Sequence, residues 1–472
     1  MAPEPTSDQC AEAAGGRPHS DDARVQEPEL DAPPAPLISP TTPAVGPLPA
    51  AGPGIQRWPP PALAVRSFRW FWIAQWPTLL GTWMQVVALG YLVFDRTHSS
   101  TAVAAVAAAD GLPAVILSLA GGLLADRLPR RRILLFTQSV LGISSGVLAV
   151  LALTGHAGFW AIIAVAVVYG SADSLDLPTR QAMVSDLVKR DLIVSAVALS
   201  STAMSVTRIV GPSLAGVLIA TAGPGACFAV LSLAYIAPLA VLLTVIPDIR
   251  PLPRAAGATA RGELLEGLRT VRRDPLVRGI VIVCAALAFF GVSYMPYLPV
   301  LARTQLHGGA TVLGLLYSIG GIGGVVGGVA MATIGNAGGR RRLLVLGGAV
   351  YAVSLFAVAH SSVLPITLVA LVGISFAFLA MNTSMATLLQ TDADPALRGR
   401  LLGIYAMLFA GLQPLGTLMY AAVAHFIGLF NAIGFGALVV GAVAITVAVS
   451  PGFRARFAAG ADAGGRGATA AD

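Results

Sequence analysis

Two charged residues stand inside stretches that are otherwise apolar: Asp110 in the run 103–125 and Arg208 in the run 194–219. A charge at membrane depth costs at least about 2.5–3.5 kcal/mol, so an intramembrane charge marks a functional candidate. Counted along a helix at 1.5 Å per residue, Arg208 lies about 21 Å from one surface and Asp110 about 12 Å from the other. The depths are similar, so a buried Asp110–Arg208 pair is one reading. Such a pair is either a structural brace or a carboxylate whose proton comes and goes as the arginine moves away. A third reading makes Asp110 a substrate contact.

Three further groups have chemistry-bearing spacing. Gly122-Leu-Leu-Ala-Asp126-Arg127-Leu-Pro-Arg130-Arg131-Arg132 joins two apolar runs by a cationic turn with one carboxylate. Asp126 has the chemistry to accept backbone N–H groups at a helix start or to pair with an arginine. Gly122 removes a side chain where helices approach closely. In the second group, Asp173, Asp176, Pro178, Thr179, Arg180 and Gln181 cluster at the end of the fourth apolar run and in the loop predicted after it. Asp176 is level with the basic turn, and a bond to Arg127 or Arg130 makes a latch closing that end; a solvated loop is the plain alternative. The third group is Arg208-Ile-Val-Gly211-Pro212-Ser-Leu-Ala-Gly216. Its proline removes a backbone bond and bends the helix, and its glycines admit a neighbour at the bend.

Other chemistries are missing. No Gly-x-x-x-x-Gly-Lys-Ser/Thr loop is present, so the sequence predicts no ATP-driven step. His156, His307, His360 and His425 form no ligand spacing, and Cys10, Cys227 and Cys284 form neither a metal nor a disulfide pattern. The glycines between Gly314 and Gly328 follow no strand and read as close helix packing. No metal and no cofactor are expected.

The elements that position these residues are membrane helices. Of 472 residues, 56% are hydrophobic and 11% charged, far from the roughly 25% charged usage of soluble domains. The net charge of +7 does not argue for nucleic acid, because the basic residues fall between apolar runs. Twelve such runs are predicted, at about 71–93, 103–125, 133–153, 158–177, 194–219, 226–246, 279–302, 311–334, 342–360, 364–389, 402–424 and 427–449. Each is long enough to cross a hydrocarbon core of about 30 Å. With both termini placed in the cytoplasm, 27 basic residues fall inside, two (Arg96 and Arg303) fall outside, and Arg208 is within a span. That bias fixes the expected orientation.

Residues 1–65 carry 15 of the 32 prolines and eight acidic side chains, the composition of a disordered cytoplasmic tail without a cleaved signal peptide. A first six-helix bundle is expected over 66–246, a cytoplasmic linker over 247–278, a second bundle over 279–450 and a disordered tail over 451–472. Within the linker, Leu264, Leu265, Leu268 and Val271 recur at helical spacing, the pattern of a short amphipathic surface helix. The halves echo each other. Arg340–Arg342 repeats Arg130–Arg132 with Asn336 in place of Asp126, and Gln413-Pro414 repeats Gly211-Pro212. Repeats of this kind underlie alternating access in transporters.

The turn Gly-x-Leu-Ala-Asp-Arg-x-x-Arg-Arg resembles the loop signature between the second and third helices of the major facilitator superfamily, with Pro129 where the family usually has glycine. Leu175–Ala182, Arg208–Pro212 and the first-helix residues Gln75, Leu80, Gly81, Trp83, Met84, Gln85, Ala88 and Leu89 resemble its enterobactin-exporter-like, drug–proton antiporter branch, as does Arg398-Gly399-Arg400. The resemblance covers about residues 67–450. It implies an all-α fold of two six-helix bundles around a cavity lined mainly by spans one, four, seven and ten, in the plasma membrane. The implied activity is not enzymatic. It is proton-coupled export of a siderophore, macrolide or other drug-like molecule by a monomer, with import, uniport, or a transport-inactive sensor or scaffold as rivals.

Overall fold

A computed structural model describes residues 60–125, 129–247, 269–333, 337–391, 397–451 and 453. Among these residues the chain forms twelve long helical segments and no strand. They are α1 (Arg66–Thr97), α2 (Ser100–Ala125), α3 (Arg130–Leu153), α4 (Phe159–Asp186), α5 (Ile193–Ala222) and α6 (Pro224–Thr244). The second half holds α7 (Pro275–Thr304), α8 (Ala310–Thr333), α9 (Ala337–His360), α10 (Leu364–Thr391), α11 (Arg398–Ile427) and α12 (Leu429–Val449). Ten are long and apolar enough to cross a membrane, and α2 and α8, of 26 and 24 residues, complete the set. With no water in the hydrocarbon to receive backbone groups, helices that satisfy their own N–H and C=O are the form such runs must take.

Packing repeats with a shift of six helices. In the first half α1 packs on α5, α2 on α4, and α3 on α4 and α6; in the second, α7 packs on α11, α8 on α10, and α9 on α10 and α12. The halves meet where α5 lies on α8 and α2 on α11. Tight corners repeat as well. Gly223 (φ 79°) joins α5 to α6 and Gly428 (φ 83°) joins α11 to α12, a left-handed backbone that favours glycine.

Three boundaries differ from the sequence expectation. Residues Pro61–Ala64, assigned to the tail, form a 3₁₀ turn with Ala62 fully buried, and α1 starts at Arg66. Phe453, beyond the predicted last span, is buried against the Gly279 backbone of α7. The largest shift is in α4, which runs to Asp186 with Pro178 inside it. Proline weakens a helix by one backbone bond, but membrane helices tolerate it because neighbours re-satisfy the freed group. Of the amphipathic linker, residues 248–268 lie outside the described set, and residues 269–273 are helical. Asp274 caps α7, accepting from the Leu276 N–H at 2.8 Å, with Pro275 at the first helical position.

The middle of α7 is not α-helical: Leu287–Gly291 winds as a π turn and Val292–Tyr297 as 3₁₀. Carbonyls left by this unwinding are taken by hydroxyls. Tyr420 donates to Phe290 O (2.5 Å), Thr417 to Ser293 O (3.3 Å) and Tyr317 to Met295 O (3.0 Å). Met295 is the residue whose carbonyl Pro299, lacking an N–H, leaves open.

Candidate functional site

The charged residues of α4 follow from its length. Because the helix continues past Pro178, Asp176 and Arg180 stand one turn apart and form an ion pair at 2.6 Å, with Asp176 1% exposed. Thr137 of α3 donates to the same carboxylate at 2.8 Å, and Arg180 donates to Gln75 Oε1 of α1 at 3.2 Å. The expected bond from Asp176 to Arg130 is therefore not formed. Arg130 instead pairs with Asp186, in the last turn of α4, and donates to Ala182 O at 3.1 Å. Arg131 reaches the last carbonyls of α6, Leu242 O at 2.6 Å and Leu243 O at 3.0 Å, a C-terminal cap that places positive charge at the negative helix end. Asp126 and Arg127 lie outside the described residues. Gly122 falls in the last turn of α2.

Gly211 and Gly216 each face a different partner. A Cβ at Gly211 meets Trp83 Cβ of α1 at 2.7 Å, and one at Gly216 meets Gly314 Cα of α8 at 2.8 Å. Pro212 and its counterpart Pro414 both stand at crossings between the halves: Pro212 O lies 2.9 Å from a Cβ built on Gly314, and Pro414 Cγ 2.5 Å from one on Gly111. α5 carries the interface between halves from Ile209 onward, where Ile209 fills the space beside Gly321. Earlier in α5 a run of side chains including Ser201, Thr202, Ser205 and Val206 is exposed.

Asp110 and Arg208 line one cavity of about 460 Å³ between the halves. Its walls come from α1 (Trp83), α2 (Asp110, Gly111), α5 (Arg208), α7 (Val292, Met295), α8 (Tyr317), α10 (Phe378) and α11 (Gln413, Thr417). None of its lining residues comes from α4, contrary to the expected lining by spans one, four, seven and ten. The cause is local: Gly170 of α4 packs directly on the Asp110 backbone, so α2 stands between α4 and the cavity. Arg208 lies 5.4 Å from the Trp83 ring centroid, a cation–π contact. It also borders a smaller chamber of about 50 Å³ lined by Tyr294, Tyr351 and Ser375. Among the described residues no ion pair joins Asp110 to Arg208.

At the end of the molecule away from the basic turns, α1 and α7 close on each other. Gly90 abuts Pro299, with 2.9 Å from a built Cβ to Pro299 Cγ. Arg303 donates to Asp95 (3.0 Å) and to the Tyr91 hydroxyl (3.2 Å) and lies 5.6 Å from the Tyr91 ring centroid. The sequence reading gave Trp83, Tyr91, Asp95 and the tyrosines around Arg208 no role. Trp83 stood in the sequence only among the first-helix residues that resemble the exporter branch, and Asp95 and Arg303 carried a signal as opposite charges at equivalent ends of two helices.

Residues 57–461 match the sequence profile of the transmembrane secretion effector family. The chain is 25% identical over 398 residues to the enterobactin exporter EntS of Escherichia coli, covering 81% of this chain and 92% of that one. It is 24% identical over 367 residues to the staphyloferrin A transporter of Staphylococcus aureus, covering 76% and 90%. Among solved structures it is similar to the nucleoside transporter NupG (TM-score 0.64, 14% identity, covering 83% of this chain and 99% of that one). A bacterial homologue of the lysosomal transporter Spinster is also similar (TM-score 0.59, 14% identity, 84% and 97%). The chain therefore belongs to the transmembrane secretion effector family of the major facilitator superfamily: it is a multi-pass membrane protein and a secondary transporter, not an enzyme.

Proposed function

We propose that this protein exports a small organic molecule from the cytoplasm by alternating access, driven by proton antiport. The observation that carries the reading is the cavity between two six-helix halves, where Asp110 and Arg208 face the same space and are not neutralised by each other. A carboxylate there holds a proton in one state and releases it in another, which is what coupling needs. The basic ends of the helices lie in the cytoplasm, following the 27-to-2 bias. The Asp95–Arg303 contact then closes the outer face and the cavity belongs to an inward-facing state.

The substrate class follows the relatives, an exporter of enterobactin and a transporter of staphyloferrin A: a siderophore, with macrolides and other drug-like compounds next. The proton gradient supplies the energy, the working unit is a monomer in the plasma membrane, and neither ATP nor nucleic acid takes part. Asp126, Arg127 and Arg130 act at the inner gate, with Asp186 as the carboxylate that holds Arg130.

Everted vesicles test this directly. A compound identified by a resistance and uptake panel is expected to accumulate when the lumen is acidified, and a protonophore abolishes the accumulation. Accumulation only in right-side-out vesicles acidified outside establishes import instead. A chain that moves nothing in either orientation, yet whose cellular effect depends on residues 1–60, is a sensor.

A further inference from the structure

We propose that the cavity is built for a doubly charged, aromatic small molecule: an acid group held at Arg208 and a protonated amine held at Asp110. This rests on the transporter reading and narrows its substrate class. Two opposite charges line the two sides of one apolar space, and neither is satisfied by the protein. Arg208 rests on the face of Trp83, and the Asp110 side chain has no hydrogen bond or ion pair among the described residues.

The surroundings reinforce each sign. Around Arg208 the small chamber adds the hydroxyls of Tyr294, Tyr351 and Ser375, donors suited to anionic oxygens. Behind Asp110, across the Gly170 crossing, α4 carries a second acid, Asp173, one turn on from Gly170. The nearest buried arginine on that helix, Arg180, is already committed to Asp176. Between the two charges the walls are Trp83, Phe378 and Phe409 with Val292 and Met295, and the second half of the protein contributes no charge to the cavity. A singly charged ligand leaves one of the two cavity-lining charges without a partner. A ligand bearing both leaves neither.

The test uses the full-length protein in detergent and three probes on one skeleton: a coumarin-bearing amino acid, its N-acetyl derivative (anion only) and its methyl ester (cation only). Binding at pH 7.5 is read by fluorescence anisotropy. The amino acid is expected to bind at least tenfold tighter than either derivative. Arg208→Gln is expected to cut binding of the amino acid and the anion tenfold or more and to spare the ester. Asp110→Asn is expected to cut the amino acid and the ester and to spare the anion. Asp110→Glu restores amino-acid binding, which separates loss of charge from misfolding. Equal affinity for the amino acid and its N-acetyl derivative overturns the proposal, because a proton on Asp110 then suffices. Failure of all three probes to bind also overturns it. Neither result touches the export reading, which stands or falls on vesicle accumulation of the panel compound.

Discussion

The two halves of the molecule have the same helix pairing and solve the problem of buried polarity differently. In the first half the membrane helices carry full charges: Asp110, Asp173, Asp176, Arg180 and Arg208. In the second, the described helix interiors hold hydroxyls instead, with Ser293, Tyr297, Thr417 and Tyr420 bonded to backbone carbonyls between α7 and α11. A hydroxyl bonded to a carbonyl stitches an unwound helix without a charge that must be solvated. The halves have different tasks: the first supplies the charges, with Asp176 and Arg180 paired to each other and Asp110 and Arg208 facing the cavity, and the second supplies the irregular helix, α7, whose π and 3₁₀ turns line the cavity through Val292 and Met295. Pro296 and Pro299 each remove a backbone N–H from this part of α7, and Tyr317, Thr417 and Tyr420 satisfy carbonyls that the irregular winding leaves open in lipid.

The largest effect should come from the charged half. Asp176→Asn removes one member of a buried, hydrogen-bonded pair and leaves Arg180 without it, a loss of about 3–5 kcal/mol. Thermal unfolding in detergent is expected to show it. Adding Arg180→Gln should recover a large part of that loss, since no buried charge is then stranded. If the single variant unfolds like the wild type, the pair contributes nothing and the contrast between halves loses its first member.

Next in size are two glycines, one in each half. A Cβ at Gly170 falls 1.8 Å from Asp110 O, and one at Gly416 falls 1.9 Å from Phe289 O. Both neighbours are backbone, so a helix must move, at about 1–3 kcal/mol. The halves should nevertheless differ in readout. Gly170→Ala shifts α2 and with it Asp110, so ligand binding at the Asp110 side changes. Gly416→Ala parts α11 from α7 and is expected to raise hydrogen exchange across residues 287–297. Equal exchange in the two variants removes the contrast in which the second half holds the irregular helix.

Smaller again is Tyr420→Phe, which deletes one hydroxyl and leaves Phe290 O open, about 1 kcal/mol. Its exchange signature should fall on the same segment, 287–297, and a signature confined to α12 contradicts the stitching role.

These residues also mark what was legible in the sequence. All twelve helices were, because their apolar runs match the membrane thickness and are punctuated by arginines. That Asp110 and Arg208 come to one level, where both line one cavity, was legible too, since rise per residue is fixed. Direction around the helix axis was not. Depth alone does not distinguish two charges that touch from two that share a cavity, and only the packing of Gly170 on Asp110 explains why α4 is walled off. The Asp176–Arg130 bond is not formed for a related reason: a proline was taken as a helix end. Nine residues more of α4 carry Asp186, not Asp176, to the level of Arg130. The hydroxyl stitching of α7 was invisible because each bond joins residues about 120–130 apart to a carbonyl, which no side-chain pattern announces.

The smallest expected change in stability is at the closed end, and there stability is the wrong quantity to watch. Asp95 and Arg303 are both nearly half exposed, at 46% and 44%, so Asp95→Asn should cost less than about 1 kcal/mol. Yet the pair joins α1 to α7 across the two halves, and a transporter cycling between two states of similar energy shifts its populations severalfold for a difference of that size. A cysteine at Val93, buried on α1 beside this contact and lining the cavity, reports the opening. With the outer face closed it resists an impermeant thiol reagent applied from outside intact cells. In the Asp95→Asn background it is expected to react severalfold faster, while the unfolding midpoint in detergent stays within a few degrees of the parent. High salt should narrow the gap between parent and variant, because exposed ion pairs are screened. Unchanged labelling would mean that Gly90 against Pro299 closes this end by packing alone, and the ion pair would drop out of the cycle.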